Sequence, residues 1–81
     1  MLEQLKNGIH VVGAKQTKRA IADQKASLVL VAGDADPRVT EPIEALCREK
    51  RVPLETVPTM KELGNACGIA VGAAVAALLF N

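Results

Sequence analysis

Aromatic residues are nearly absent from this chain of 81 residues, which has one Phe and neither Trp nor Tyr. The core must therefore be built from Val, Leu, Ile and Ala. Proteins that bind single-stranded nucleic acid without sequence preference stack bases on several aromatic side chains, so this class is disfavoured. With 49% hydrophobic and 23% charged residues, the composition is that of a globular protein and not of a disordered chain.

Cysteine is also scarce, and no apolar run is long enough to cross a bilayer. Cys47 and Cys67 lie twenty residues apart and form no CxxC motif, which predicts two buried thiols in a reducing compartment. The longest apolar stretch, residues 68–80, has 13 residues, against the ~20 that a membrane-spanning helix requires. Residues 1–6 already carry charges and no apolar run follows them, which argues against a signal peptide. We expect a cytoplasmic protein with no membrane partner.

Motifs that carry catalysis are missing as well. The sequence has no P-loop, no nucleophile elbow and no cluster of metal ligands. Its single histidine, His10, has no Cys or Ser partner in a known motif, which favours a structural role or an exposed position. A chain of this length forms one domain, residues 1–81, with no room for a cleft between two lobes. These observations predict a protein that is not an enzyme and uses no metal or cofactor.

The net charge of +1 conceals an uneven distribution along the chain. Residues 1–25 carry five cations and two carboxylates, a balance of +3. Residues 33–55 carry four cations and six carboxylates, a balance of −2. An anionic partner is therefore expected near the first quarter of the chain.

Short apolar segments alternate with segments of helical periodicity. Strands are predicted at residues 9–12, 28–32, 52–57 and 71–80, although residues 73–77 alone would also suit a helix. The run at 28–32 is continuously apolar, as in a strand that is covered on both faces. The alternation predicts an α/β fold, namely a single-domain three-layer α/β/α sandwich with a mixed, mostly parallel, four-stranded sheet.

Start and stop signals place the helices between these strands. A helix is predicted at residues 15–24, and another after Thr40, with Pro42 in its first turn. A third begins with the capping box of Thr59 and Glu62 and ends at Gly68. A short helical turn at residues 2–7 would end at Gly8. The helix at 15–24 has one apolar face, formed by Thr17, Ala20 and Ile21.

The first candidate site is the segment GAKQTKR, residues 13–19, where a glycine separates a predicted strand from a helix start rich in donors. The N–H groups and the dipole of a helix N-terminus favour anions such as phosphate. Lys15 and Gln16 point outward from the first turn, and these side-chain types reach the base edges of guanine and adenine, respectively. The alternative is an ordinary solvated basic helix face, which is the commoner meaning of such a pattern.

The second candidate is the segment of residues 64–72, in which glycine recurs every four residues. The pattern is compatible with close backbone packing plus a helix cap. It is also compatible with a loop that covers a ligand with three apolar residues. These residues are Ile69, Ala70 and Val71. The pattern alone does not choose between the two interpretations.

The third candidate is the carboxylate pair Asp34 and Asp36, which follows an apolar strand. A metal would need a third ligand at a suitable spacing, so a turn that leads into a helix is favoured. Because ligands of open α/β sheets lie beyond the carboxyl ends of strands, an alternative function is a small α/β module that binds a nucleotide or an acidic protein partner near Asp34. A further alternative is a ribosome-assembly or scaffold protein that contacts RNA only incidentally.

Three segments carry a family resemblance: GAKQTKRA at residues 13–20, AGDADP at 32–37 and KELGNACGI at 61–69. In this order and at this spacing, they resemble the ribosomal protein family of the L-seven-Ae and L-thirty-e type, which binds kink-turn RNA. The sequence is most similar to the short bacterial YbxF-like branch, over residues 5–79. The resemblance implies an α/β/α sandwich that recognises a sharp bend with tandem sheared G·A pairs.

The resemblance also implies where RNA is contacted. The helix start after the first strand enters the groove at the G·A pairs, and the loop after the last helix covers a flipped-out nucleotide. The family pattern at the first site is G-x-N-E-x-x-K, and here Lys15, Gln16 and Arg19 stand in place of its Asn, Glu and Lys, as is usual for the bacterial branch at the first two. The implied RNA-binding residues are Gly13, Ala14, Lys15, Gln16, Lys18, Arg19, Lys61, Gly68, Ile69, Ala70 and Val71.

The expected partner is a structured RNA, a kink-turn in rRNA or in an mRNA leader, with the ribosome as a further candidate and no DNA partner. Bent RNA requires donors at base edges, amides at phosphate and an apolar surface for an unstacked base. The low overall charge suits recognition of shape better than bulk attraction to phosphate. A monomer is expected for a short domain without an exposed apolar helix face.

Overall fold

In the computed structural model, which describes residues 9–80, strands and helices alternate as the sequence predicts. The strands are β1 (His10–Val12), β2 (Ala26–Ala32), β3 (Leu54–Val57) and β4 (Val75–Leu79). The helices are α1 (Ala14–Ala22), α2 (Pro37–Lys50) and α3 (Met60–Ala66). The helical turn expected at residues 2–7, with its end at Gly8, lies outside the described residues. Within residues 9–80, no helix is long and apolar enough to cross a membrane.

The four strands of the described chain form one sheet in the order β1-β4-β2-β3. β2 and β3 are parallel, whereas β4 lies between β1 and β2 and runs antiparallel to both. The prediction of a mixed sheet is confirmed, but the prediction that it is mostly parallel is wrong. The difference arises because β4 re-enters the centre of the sheet from a loop with its direction reversed, so that two of the three strand pairs are antiparallel.

Side chains of β2 alternate between the two faces of the sheet, and each face carries its own core. Val29 and Val31 pack on the face that α1 and α2 cover, with Ile21 and Ile43 as its large buried residues. The opposite face packs against α3 and contains Leu30, Leu63, Ala76 and Leu78, among other residues. The three-layer α/β/α sandwich and the doubly covered strand are therefore confirmed.

Helix α1 buries the three residues that the sequence predicts, Thr17, Ala20 and Ile21. Thr17 is completely buried, and its Oγ1 has no hydrogen-bond partner. The hydroxyl therefore stays unpaired in an otherwise apolar core, while the methyl group contributes to packing.

Helix α2 begins four residues earlier than the sequence predicts. Asp36 is the N-cap, because its side chain accepts a hydrogen bond from the N–H of Arg38 at 2.9 Å, and Pro37 is the first helical residue. Thr40 is thus not a cap but a buried helical residue, and Pro42 lies inside the helix. The Asp-Pro pair prevails because the carboxylate caps the helix and the proline ring presets its first φ angle.

Helix α3 starts as predicted, since the side chain of Thr59 accepts from the N–H of Glu62 at 3.1 Å. Strand β4, by contrast, begins only at Val75, because residues 71–74 form an irregular segment. The alanine-rich run becomes a strand because Ala76 and Ala77 lie in register between two neighbouring strands. Phe80 follows β4 and is 65% exposed, so the strand predicted at residues 71–80 is too long at its end as well.

Candidate functional site

The first half of the site is the junction where β1 passes into α1 at Gly13. This residue has φ = 99° and ψ = 157°, a conformation that strongly favours glycine. Its N–H donates to the carbonyl of Val75 at 3.0 Å, which fixes the junction to the first residue of β4. Its carbonyl accepts from the N–H of Thr17 at 3.0 Å, the first hydrogen bond of the helix.

Helix α1 has no side-chain cap, because Gly13 occupies the N-cap position. The N–H groups of Ala14, Lys15 and Gln16 point out of the first turn without an intrahelical partner. No acidic residue lies in this turn. The helix dipole and the uncapped N–H groups therefore favour an anion at this end.

Four polar side chains along α1 are exposed: Lys15 and Gln16 in the first turn, then Lys18, and Arg19 in the last turn. Ala14 is half-buried against the core beneath them. Within the described part of the chain, none of the three cations takes part in an ion pair. Their charges are available to an external anion. The sequence-predicted donors of the first candidate segment thus lie together on one accessible surface.

The second half of the site is the loop of residues 68–71, which we call the apolar loop. It follows α3 through a Schellman cap, in which Gly68 N–H donates to Asn65 O and Ile69 N–H to Gly64 O, each at 3.1 Å. Gly68 has φ = 78°, which accounts for the helix stop predicted there. Ala70 and Val71 are exposed, Val71 by 70%, whereas Ile69 is half-buried against the core.

The other two glycines of this segment allow close backbone approach. A Cβ at Gly64 would overlap the carbonyl oxygen of Val71, and a Cβ at Gly72 would lie 3.0 Å from that of Met60. The interpretation as close packing with a helix cap is therefore confirmed. The same packing holds the tip of the apolar loop at the surface. Close backbone packing is therefore compatible with the other interpretation of this segment, a loop that covers a ligand.

The two halves of the site are connected through the loop that leads into β4. Ala73 N–H donates to Met60 O at 3.0 Å, and Ala32 N–H donates to Ala74 O at 2.8 Å. The next residue, Val75, accepts the N–H of Gly13. The chain thus runs directly from the apolar loop to the junction with α1. Lys61 is exposed and follows Met60, so it lies at the N-terminal start of α3, where the loop is hydrogen-bonded to Met60.

Both carboxylates of the third candidate cap helices. Asp34 accepts the N–H of Met60 at 2.8 Å, at the start of α3, and Asp36 caps α2. The side chain of Arg38, followed by its backbone N–H, donates to Asp36 and holds the pKa of that carboxyl below its ordinary value. Among the described residues, no three His, Cys, Asp or Glu side chains converge as a metal site would require.

The remaining candidate groups have structural positions. Cys47 and Cys67 are free, buried thiols, as predicted. Burial raises the pKa of both, and the nearby Glu44 raises that of Cys47 further. The half-buried ring of His10 lies 3.3 Å from the carbonyl oxygen of Cys67, which follows α3. Because 57 residues separate these two along the chain, no local sequence signal could have shown that His10 adjoins the site.

The architecture and the site define a class of small α/β/α proteins that present an uncapped, basic helix start beside an apolar loop. The comparison of sequences places the chain within that class. It belongs to the ribosomal protein L7Ae/L30e/S12e/Gadd45 family, whose family model matches residues 2–81. The family resemblance seen in the sequence motifs is confirmed.

Relatives of known sequence or structure agree with this assignment. The chain is 47% identical over 75 residues to the RNA-binding protein YbxF of Geobacillus stearothermophilus, covering 93% of this chain and 92% of that protein. It is 48% identical over 75 residues, with the same coverage, to an RNA-binding protein of Geobacillus thermodenitrificans. The structure superimposes on the Giardia lamblia 15.5kD RNA binding protein with a TM-score of 0.93 and 29% identity, over 99% of this chain and 71% of that chain.

Proposed function

We propose that this protein binds RNA without catalysing a reaction, and that it recognises the kink-turn, a sharply bent duplex with tandem sheared G·A pairs. The observation that carries the proposal is the uncapped, basic start of α1, placed beside the apolar loop in a member of this family. The similar proteins are themselves named as RNA-binding proteins, which supports it. The RNA is an rRNA or an mRNA leader, and the protein acts as a monomer.

The start of α1 supplies the contacts that a bent RNA requires. The uncapped N–H groups and the cations Lys18 and Arg19 hold phosphates or guanine at the bend. Lys15 and Gln16 donate to base edges, and Gln16 also accepts through its amide oxygen. This combination reads shape and a few base edges rather than net charge.

The apolar loop supplies the complementary surface for an unstacked base. Ala70 and Val71 expose apolar groups, and the half-buried Ile69 supports them from below. A base that leaves the stack retains an apolar face, which such a surface covers. Lys61, exposed at the start of α3, provides a further phosphate contact.

A bend-sensitive fluorescence titration tests the proposal. A duplex RNA labelled at both ends carries a kink-turn, and the control RNA replaces its G·A pairs with Watson–Crick pairs at the same salt concentration. We expect protein-dependent bending of the kink-turn RNA alone. Equal weak binding to both RNAs, or binding to neither, would contradict the proposal and would direct the search to nucleotides and protein partners.

Two classes of variant test the residues. Lys15→Ala and Gln16→Ala are each expected to weaken kink-turn binding by about 1–3 kcal/mol, because each removes a base-edge contact. Lys50→Ala is the matched control, since it removes an exposed cation at the far end of α2.

For the apolar loop, Val71→Asp is a cleaner probe than Ile69→Asp, because Val71 is exposed and its substitution leaves the core intact. Wild-type affinity in these variants would remove the residues from the site.

A further inference from the structure

His10 connects the two halves of the candidate site across the sheet. Its Nε2 lies 3.3 Å from the carbonyl oxygen of Cys67. Because a carbonyl oxygen can only accept, Nε2 carries the proton and donates it. His10 lies on β1, an edge strand, and this strand continues directly into Gly13 and α1. One side chain thus joins the strand that positions the first half of the site to the helix end that positions the second.

The carbonyl that His10 holds is the group immediately before the apolar loop. After the apolar loop, the chain is fixed to the fold by the hydrogen bonds of Ala73 and Ala74. Where the apolar loop begins, the Schellman hydrogen bonds of Gly68 and Ile69 join it only to α3, the helix that precedes it. The hydrogen bond from His10 therefore attaches this near end to another element of the fold.

We propose that His10 is a positioning residue, which fixes the apolar loop relative to the start of α1 so that both contact one RNA at the same time. This inference rests on the proposed function. The effect is indirect, because His10 acts through the carbonyl of Cys67 and not through the RNA. Preorganising a loop lowers the entropy that binding must remove, so a freed loop weakens the complex without changing a single RNA contact.

Two variants of similar length separate the hydrogen bond from the packing of the ring. His10→Gln keeps a donor, whereas His10→Met has none. Ser27→Ala is the matched control, because Ser27 Oγ also donates from a half-buried side chain to a sheet carbonyl, that of Leu78, at 3.2 Å. We expect His10→Met to lose about threefold to tenfold in kink-turn affinity, the equivalent of one net hydrogen bond. His10→Gln and Ser27→Ala are expected to stay within about twofold of the wild type, since neither removes this bond.

A second RNA shows whether the loss passes through the apolar loop. It is the same kink-turn with an abasic site in place of the unstacked nucleotide. Against this RNA, His10→Met and the wild type are expected to bind equally, because the loop no longer has a base to cover. A loss of the same size with both RNAs would overturn the proposal, as would wild-type affinity in His10→Met or an equal loss in His10→Gln.

Amide hydrogen exchange of the free protein tests the positioning without RNA. We expect faster exchange at Gly68 and Ile69 in His10→Met, and wild-type exchange at both in His10→Gln and Ser27→Ala. Unchanged exchange at these two amides in His10→Met would overturn the proposal. If the wild-type protein fails to bend the kink-turn RNA, the proposed function fails, and the exchange comparison still decides whether His10 orders the apolar loop.

Discussion

Replacing Gly64 with alanine tests the close packing of α3 against the apolar loop. Helix propensity alone predicts that Gly64→Ala stabilises the protein by about 1 kcal/mol. The structure predicts the opposite, because the new Cβ would overlap the carbonyl oxygen of Val71 and lie 3.1 Å from Cα of Gly72. Both obstacles are backbone atoms, so the loop must move as a unit. Overpacking of this kind costs about 3 kcal/mol at the upper end of its usual range, which leaves a net destabilisation of about 2 kcal/mol.

Thermal and urea denaturation measure this difference, and Asn65→Ala is the matched control. Asn65 is the next residue of the same helix and is exposed, so its replacement by alanine raises helix propensity without a clash. We expect Asn65→Ala to be slightly more stable than the wild type, and Gly64→Ala to melt roughly 8–16 °C lower. Because the displaced segment is the apolar loop, kink-turn affinity of the folded Gly64→Ala protein should also fall. A Gly64→Ala protein as stable as the wild type would refute the packing argument.

Three further predictions follow from single hydrogen-bonding groups. Thr17→Val should stabilise the fold by about 1 kcal/mol in chemical denaturation, since it removes a buried unpaired hydroxyl at nearly constant volume; a loss of stability would show that the hydroxyl has a partner. Asp34→Ala should lower the free energy of unfolding by about 1 kcal/mol, because it removes the acceptor for the N–H of Met60. Asp34→Asn keeps an acceptor oxygen and should retain most of that stability, so equal losses in the two variants would contradict the prediction. NMR titration should find the pKa of Asp36 below its ordinary value of 3.8. The stability that the charged Asp36 cap contributes is then lost as pH falls through this lowered pKa. Arg38→Ala should raise the pKa of Asp36.

The sequence predicts best the features that depend on local spacing. The buried face of α1 and the N-cap at Thr59 are predicted correctly because each is set by residues within one or two turns. The start of α2 is misplaced because two proline-containing signals compete there, at Pro37 and at Pro42, and in the structure the side chain of Asp36, before Pro37, caps the helix. Local reasoning thus fails where two acceptable signals lie only a few residues apart.

Features set by distant contacts are not predictable in this way. The direction of β4 depends on pairing with β1 and β2, whose paired residues lie 44 to 68 positions earlier in the chain, and its alanine-rich sequence suits a helix equally well. The position of His10 beside the carbonyl of Cys67 is of the same kind. The sequence motifs predict both halves of the candidate site, and the structure shows how they are held together.

The start of α1 differs from the other two helix starts in a way that bears on function. Asp36 caps α2, while Thr59 and Asp34 together satisfy N–H groups at the start of α3. At α1 the N-cap is a glycine, so the N–H groups of its first turn have no side-chain partner. Glycine in place of a side-chain cap lowers helix stability by roughly a few tenths of a kcal/mol. The fold compensates by fixing Gly13 to β4 and by burying one face of α1, and the uncapped N–H groups stay available to an anion such as phosphate.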